Sequence, residues 1–483
     1  MANTTITNHA MFIDGEECPA LDGATRAILD PATGQQIATV ASGGAADVDR
    51  AVAAADRAFE SWSLAPPAER ALALLRLADR LEGAQEELAQ LESSNVGKPM
   101  GLAREEMEMI VDHVRFFAGA GRTIEGRAAG EYMKGHTSFV RRDPLGVVGS
   151  VAPWNYPLLM AIWKLCPALV TGNTLVLKPS EYTPLSLLRV AELAADIFPA
   201  GVLNVVTGDG DPVGVALVSH PRVRMTSLTG SIATGREVMR AAANSNLKRL
   251  HLELGGKAPV IILDDANVEL AVSKIREGAF CNSGQDCMAA ARIYATDGIH
   301  DELLEALVPA VTSLNVGSPL SEESEMGPLV SSVHRDRVNG FLDRAGQTGH
   351  IELARGTHSG DSNGFFVEPT VAIGALQNDE LVQKEIFGPV VSVTRTTEDQ
   401  VVGWANELEY GLAASVFTSN VARALDLARR LQFGTVWIND HLPVVAEMPH
   451  GGFKQSGNGK DMSIYAIDEY TEIKHVMINI EEA

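Results

Sequence analysis

Between residues 145 and 230, four short runs of mixed apolar and β-branched residues, LGVVGSVAP, NTLVLKP, GVLNVVTG and RMTSLTG, each break at Gly or Pro. A helix-length segment, SEYTPLSLLRVAELAADIF, separates the second from the third, so residues 173–207 read as a β-α-β unit whose right-handed crossover makes the two strands parallel. The alternation continues through residue 245 and predicts a doubly wound parallel sheet with its ligand beyond the carboxyl ends of the strands, where a nucleotide is the usual occupant. A second alternating stretch begins at KAPVIIL, passes the helix NVELAVSKIREGAF and ends near GTVWIND, predicting a second α/β domain. Upstream, ADVDRAVAAADRAFESW and PPAERALALLRLADRLEGAQEELAQLESS space apolar residues three and four apart, as helices covering the first sheet would.

Two segments stand apart: residues 125–142, with the alternating HTSFVRR, and the tail YTEIKHVMINI, a strand that needs a partner, for which a subunit boundary is one place. At 483 residues the chain exceeds what one core usually supports, so two or three domains are expected. Its 39 basic and 62 acidic side chains argue against nucleic acid or an anionic membrane as partner and favour a small cation, though acidity also simply keeps a protein soluble. Cys18, Cys166, Cys281 and Cys287 are too scattered for a disulfide framework and show no C-x-x-C zinc spacing. The opening MANTTITNHAMFIDGEE lacks a secretion signal's basic and apolar regions, and nowhere do eighteen apolar residues run together, so a cytoplasmic protein is expected.

Chemistry concentrates at the strand exits. GDGDPVG has the spacing G-x-G-x-x-x-G, which is not the dinucleotide fingerprint, whereas TGSIATG follows a strand and opens the helix REVMRAAA, facing backbone N–H groups toward a pyrophosphate. In LKPSEYTP, Glu181 beside Lys178 can accept both hydroxyls of an adenosine ribose and repel a 2′-phosphate, favouring NAD over NADP; a helix-start Glu is the alternative. In APWNYPL, Asn155 between two prolines suits an amide aimed at an oxyanion, or a plain turn. In LELGGKAP, Glu253 in an apolar strand suits a general base of raised pKa, or a structural Glu paired with Lys257 or Arg249. In FCNSGQDCMAA, Cys287 with Gly284 ahead of it can be an exposed thiol met by its own backbone N–H, while Cys281 reads as a buried apolar filler.

PWNYP, KPSEYTP, SLTGS, LELGGK, GQDC and KEIFGPV follow one another over about 240 residues, and together they resemble the aldehyde dehydrogenase superfamily. The resemblance runs from about residue 11 to the end and includes ESSNVGKP, GTVWIND and MPHGGFKQSG. RFFAGAGR, AAGEY, GHTS, RRDPLGVV, DIFPAG, EMPHGG and GKDMS are similar to bacterial 4-aminobutyraldehyde dehydrogenases, relatives of the betaine aldehyde dehydrogenases. It implies an α/β fold with a Rossmann-like NAD-binding domain (1–124 and 143–252), an α/β catalytic domain (253–447) and a small β oligomerisation region (125–142 and 448–483), in dimers or tetramers.

The resemblance also implies roles. Cys287 would attack the aldehyde, Asn155 and the Cys287 N–H would hold the oxyanion, and Glu253 would activate the water that hydrolyses the thioester. NAD would be held by Lys178 and Glu181 at the adenosine ribose, Gly230 and Ser231 at the phosphates, and Glu385 and Phe387 at the nicotinamide half, with Pro153, Trp154, Ser180, Gly210 and Leu254 completing the shell; no metal is implied. A small cationic aldehyde would meet Asp286, an aromatic wall of Tyr156 and Trp163, and, more weakly, Asp112. Betaine aldehyde or a broad range of aldehydes is the alternative substrate, and a catalytically silent relative the alternative of another class. The related betaine enzymes carry a Glu eight residues beyond the lysine of their GYKQSG motif, whereas here KQSGNG leads from Lys454 to Lys460 and Asp461, six and seven residues on, and position eight is Met462, so any relay or cation role of that Glu does not carry over.

Overall fold

The computed structural model describes residues 6–126 and 128–481; the first five residues of the opening segment, Arg127 and the last two residues of the tail lie outside them. Its first sheet is built on five parallel strands in the spatial order Arg249–Glu253, Val223–Thr229, Val147–Val151, Thr174–Lys178, Leu203–Val205. The first strand in the chain is thus the middle one, and the order reverses between Val147–Val151 and Val223–Thr229, which opens a crevice at their carboxyl ends. The strands read as continuous apolar runs because both faces are covered. Leu175 and Leu177 point into a core with the helices Pro67–Gly83, Met100–Ala120 and Pro157–Val170, and Val176 into one with the helix Ala45–Trp62. Antiparallel strands flank it: Met11–Ile13 with Glu16–Cys18 on one edge, and Gly457–Asn458, from the stretch expected in the oligomerisation region, on the other.

The second sheet sets Thr370–Ile373, Val390–Thr396, Ala290–Thr296, Ala258–Ile262, Ala413–Phe417 and Thr435–Ile438 in parallel, with Glu352–Arg355 antiparallel at one edge. Residues 254–257 join the end of Arg249–Glu253 to the start of Ala258–Ile262. The carboxyl ends of the first sheet therefore face the amino ends of the second.

The tail strand Thr471–Asn479 pairs antiparallel with His136–Pro144 of the same chain over its whole length, so its strand partner is intramolecular and a subunit boundary is not needed to supply it. Ile473, Met477 and Ile478 stay exposed on the resulting three-stranded sheet. The expected long helix after Pro67 is two helices, Pro67–Gly83 and Gln85–Val96, interrupted at Ala84, and the segment after Lys178 turns helical only at Leu185–Leu193 because the residue before Pro184 is steered away from helical geometry. A small sheet of Thr7–His9, Gln36–Ala41 and Thr25–Leu29 has no counterpart in the sequence reading. Among the described residues, no helix is long and apolar enough to cross a membrane.

Candidate active site

A cavity of about 590 Å³ fills the crevice between the two sheets. The turn after Val147–Val151 supplies Pro153, Trp154, Asn155 and Tyr156; the turn after Val223–Thr229 supplies Gly230 and Ser231. Glu253 and Leu254 come from the next strand's exit, Asp286 and Cys287 from the loop that enters Ala290–Thr296, and Glu385 and Phe387 from the loop before Val390–Thr396.

The loop that carries Cys287 follows the helix Val268–Phe280 through three consecutive left-handed residues, Asn282, Ser283 and Gly284. Such a run costs on the order of 1–3 kcal/mol per non-glycine residue. Hydrogen bonds hold it: Ser283 Oγ donates to the Gly327 carbonyl at 2.8 Å and Asn282 Nδ2 to the Asn155 carbonyl at 2.8 Å. In return Asn155 Nδ2 donates to the Gln285 carbonyl at 2.9 Å, leaving its second hydrogen free for an oxyanion in the cavity. Burial pushes the Cys287 thiol well above its usual range, and Asp286, Glu253 and Glu385 add to this, with only its own backbone N–H pulling the other way.

Glu253 is 4% exposed, and neither carboxylate oxygen has a hydrogen-bond partner. The structural-pair alternative is not what the fold builds: Arg249 reaches Glu472 at 2.9 Å, and the Lys257 ammonium has no partner. His450 Nε2 lies 3.7 Å away, on an imidazole whose pKa burial lowers to about 4. Behind Glu253 lies Asp461, with Lys164 Nζ at 3.4 Å and His251 Nε2 at 3.1 Å, the latter close but not aligned as a hydrogen bond. Burial would raise the Asp461 carboxyl, but Lys164 and His251 overrule it and hold it below the carboxylate range. Burial, reinforced by that anion, pushes Glu253 well upward. Donor atoms of His251, Glu253 and Asp461 lie within 4.8 Å of one another, and the Lys164 ammonium provides the positive charge beside them.

Asp286 lines the cavity, 8% exposed, and also accepts the Met288 N–H at 2.7 Å, so the loop-stabilising and cavity-facing readings both hold. Burial raises its carboxyl. Tyr156 lines the wall too, but Lys98 Nζ sits 4.6 Å from its ring centroid, so one face already carries a protein cation. That ammonium is buried with Glu92 at 2.8 Å and with Glu106. Glu106 faces the cavity with one oxygen unpartnered, and burial pushes its carboxyl up to about 7 against the pull of Lys98. Trp163 completes the wall between His113 and His450, at centroid distances of 5.8 and 5.2 Å.

Two expectations need correction. Asp112 is exposed, one helical turn past Met109, and is not part of the lining, because the cavity ends at Met109 while the helix continues. Cys281 is no core filler: it lines the cavity with Sγ 3.7 Å from the Tyr156 hydroxyl, its thiol pushed up to about 12 by burial and by Asp286.

On the cofactor side, Lys178 Nζ lies 3.6 Å from Glu181 and donates to the Pro179 carbonyl at 2.9 Å. Lys178, Ser180, Glu181 and Gly210 lie outside the lining of the reaction cavity. Ser231 caps the helix Ile232–Ala243, accepting the Thr234 N–H at 3.1 Å, so the positive end of that helix opens onto the crevice. Glu385 accepts the Gly256 N–H at 2.8 Å, and burial pushes its carboxyl up to about 7. Phe387 stands edge-on to Trp154 at 5.2 Å. His334 and Arg337, on the helix Ser332–Gly346, also line the cavity. No sequence signal marked them, nor Glu106 or Lys164, whereas Lys98 and His450 lie in the ESSNVGKP and MPHGGFKQSG motifs without having been singled out.

The aldehyde dehydrogenase family model matches residues 20–476. The chain is 40% identical over 483 residues to the betaine aldehyde dehydrogenase of Bacillus subtilis (strain 168), covering 99% of this chain and 98% of that one. Among solved structures it is similar to an aldehyde dehydrogenase from Bacillus cereus in its NAD+ complex, at 41% identity and a TM-score of 0.95, covering 98% of this chain and 97% of that one. The betaine aldehyde dehydrogenase from Staphylococcus aureus in complex with NAD+ matches at 38% identity and the same TM-score of 0.95, covering 98% of this chain and 96% of that one.

Proposed function

The chain belongs to the aldehyde dehydrogenase family, and from that premise we propose that it oxidises an ω-aminoaldehyde, with 4-aminobutanal to 4-aminobutanoate as the best candidate. NAD-dependent aldehyde oxidation is its activity; the choice of aldehyde is our reading.

Cys287 gives its thiol proton to Glu253 as the sulfur attacks the carbonyl carbon, the Asn155 amide with the Cys287 N–H receives the oxyanion of the thiohemiacetal, and Glu253 returns the proton to solvent before hydrolysis. NAD, when bound, supplies the hydride acceptor. Lys178 and Glu181 hold the adenosine ribose, Gly230 and Ser231 the phosphates, and Glu385 and Phe387 the nicotinamide half, with Pro153, Trp154, Ser180, Gly210 and Leu254 around them. Glu253 takes a proton from the water that cleaves the thioester; its unpartnered oxygens and raised pKa suit a base that must cycle near neutral pH.

The observation that carries the substrate reading is charge. Asp286, buried, lines the cavity that holds Cys287; Glu106 there is paired with the Lys98 ammonium, and the guanidinium of Arg337 is tied to the carbonyls of Glu385 and Ile386. An ammonium at the far end from the thiol is attracted there and a second carboxylate repelled. A kcat/KM comparison of 4-aminobutanal with succinic semialdehyde, using NAD and NADP, tests it; preference for succinic semialdehyde defeats the substrate reading.

Betaine aldehyde is the second reading, favoured by the buried Trp163 face, since aromatic walls hold quaternary ammonium groups. The same assay separates the two. The exposed apolar side chains of the tail sheet support assembly as a homo-oligomer.

A further inference from the structure

A second, much smaller cavity of about 10 Å³ lies beside the reaction centre, its wall shared by Lys257, Asp286, Glu385 and Gly388. That is room for one water. Lys257 is 2% exposed and its ammonium has no hydrogen-bond partner, a condition that a buried cation with three donors does not tolerate without an answering group. Its backbone cannot move away: Arg292 Nε donates to its carbonyl at 2.8 Å, and the strand Ala258–Ile262 starts at the next residue. Glu385 is held equally firmly. One carboxylate oxygen accepts the N–H of Gly256, the residue before Lys257, at 2.8 Å, and its own carbonyl accepts Arg337 Nη2 at 2.7 Å.

We propose that Lys257 is a positioning residue for the cofactor: through one water in this void it shares a proton with Glu385, and the nicotinamide ribose hydroxyls draw that proton onto Lys257, freeing the carboxylate to accept them. This rests on the reading of Glu385 as the ribose acceptor. In the transfer the Glu385 O–H bond breaks and a Lys257 N–H bond forms, the water receiving one proton and passing on another; none leaves the protein.

The neighbourhood favours such sharing. Burial, with Arg292 adding to it, brings the Lys257 ammonium down to about 7, against the pull of Glu385. Burial brings Glu385 up to about 7, against the Gly256 N–H, Arg337 and Lys257. The other charged or titratable groups facing the pair are Cys287 and Tyr410 on the Glu385 side, Arg337 on both, and Asp286 in the wall of the void.

The test is calorimetric binding of NAD and of AMP, which lacks the nicotinamide ribose, between pH 6 and 8.5 in buffers of different ionisation enthalpy. Wild type, Lys257→Met, Lys257→Arg and Glu385→Gln are compared. We expect wild type to release almost no proton on binding NAD at pH 7. Lys257→Met should release close to one, bind NAD roughly tenfold more weakly at pH 6.5, regain affinity as pH rises, and bind AMP normally. Lys257→Arg should keep part of the wild-type affinity. A full proton released by wild type overturns the inference even if the Met variant does not fold; so does a Met variant with unchanged NAD binding, or with AMP weakened as much as NAD. If Glu385→Gln binds NAD like wild type, the underlying reading of Glu385 fails. If Glu385→Gln weakens NAD while Lys257→Met does not, only Lys257 is excluded.

Discussion

The carbonyl oxygen of Cys287 stands 2.0 Å from the point that a Cβ on Gly256 would occupy. The loop that follows Glu253 therefore passes directly against the backbone of Cys287, with no room for a side chain. At Gly255 an added Cβ would come 2.3 Å from a carboxylate oxygen of Glu385, a side chain that would have to give up its bond to the Gly256 N–H to make room. Gly256→Ala should thus lower stability by about 1–3 kcal/mol and abolish turnover. Gly255→Ala should leave thermal stability nearly intact and weaken NAD. Melting curves and NAD titrations on the two variants check the contrast.

Cys287→Ser should reduce turnover by roughly a thousandfold or more while NAD binding is retained, since a hydroxyl is a far weaker nucleophile here. Intact-mass analysis of wild type during turnover should show an acyl adduct that the Ser variant lacks.

Replacing Asp286 with Asn removes a charge-assisted contact worth about 1.5–3 kcal/mol, so kcat/KM for 4-aminobutanal should fall roughly 10–100-fold. Butanal, which carries no ammonium, should be oxidised as before. Equal loss on both aldehydes would mean that Asp286 serves the loop alone, through its bond to the Met288 N–H.

Glu253 has a carboxyl pushed well upward by burial and by Asp461. Protonated, it cannot take a proton from water, so thioester hydrolysis should fail as pH drops and recover as pH rises. Rapid-quench mass spectrometry should find acyl-enzyme accumulating at low pH, and at every pH in Glu253→Gln. The linkage to stability has the matching sign: a carboxyl whose folded pKa exceeds its unfolded value of about 4.3 stabilises the fold while protonated, and that contribution is lost as pH rises through the folded value. The Tm of wild type should therefore fall relative to that of Glu253→Gln with increasing pH.

Ile473 and Met477 share one face of the tail strand and are exposed. If that face packs against a second copy, Ile473→Lys with Met477→Lys should shift the mass measured by light scattering toward the monomer. An unchanged mass would place the subunit contact elsewhere.

The parallel strands of the first sheet and their helices were legible because buried strands and amphipathic helices declare themselves within a dozen residues. Asn155, Glu253 and Cys287 stood out as candidates for a related reason: each lies within three residues of a Pro or Gly that marks a strand exit or tight turn, where side chains are delivered to a crevice. The extent of the cavity was not. A helix repeats its face every few residues, so nothing local distinguishes Met109, which touches the cavity, from Asp112, which lies past its end. Cys281 was misread as filler because burial in a core and burial in a substrate channel look alike in a sequence.

By itself, then, the order of residues determined the doubly wound sheet, the chemistry set at its carboxyl edge and the acidic side chain next to the nucleophile. Only the tertiary structure decided what faces that chemistry. Lys98 over Tyr156, Asp461 and Lys164 behind Glu253, and Arg337 and Lys257 around Glu385 all come from distant parts of the chain or point in directions set by packing. The reason is physical: local periodicity is governed by backbone geometry within a few residues, whereas pKa values and charge selection depend on groups a few ångströms apart in space, wherever they lie along the chain.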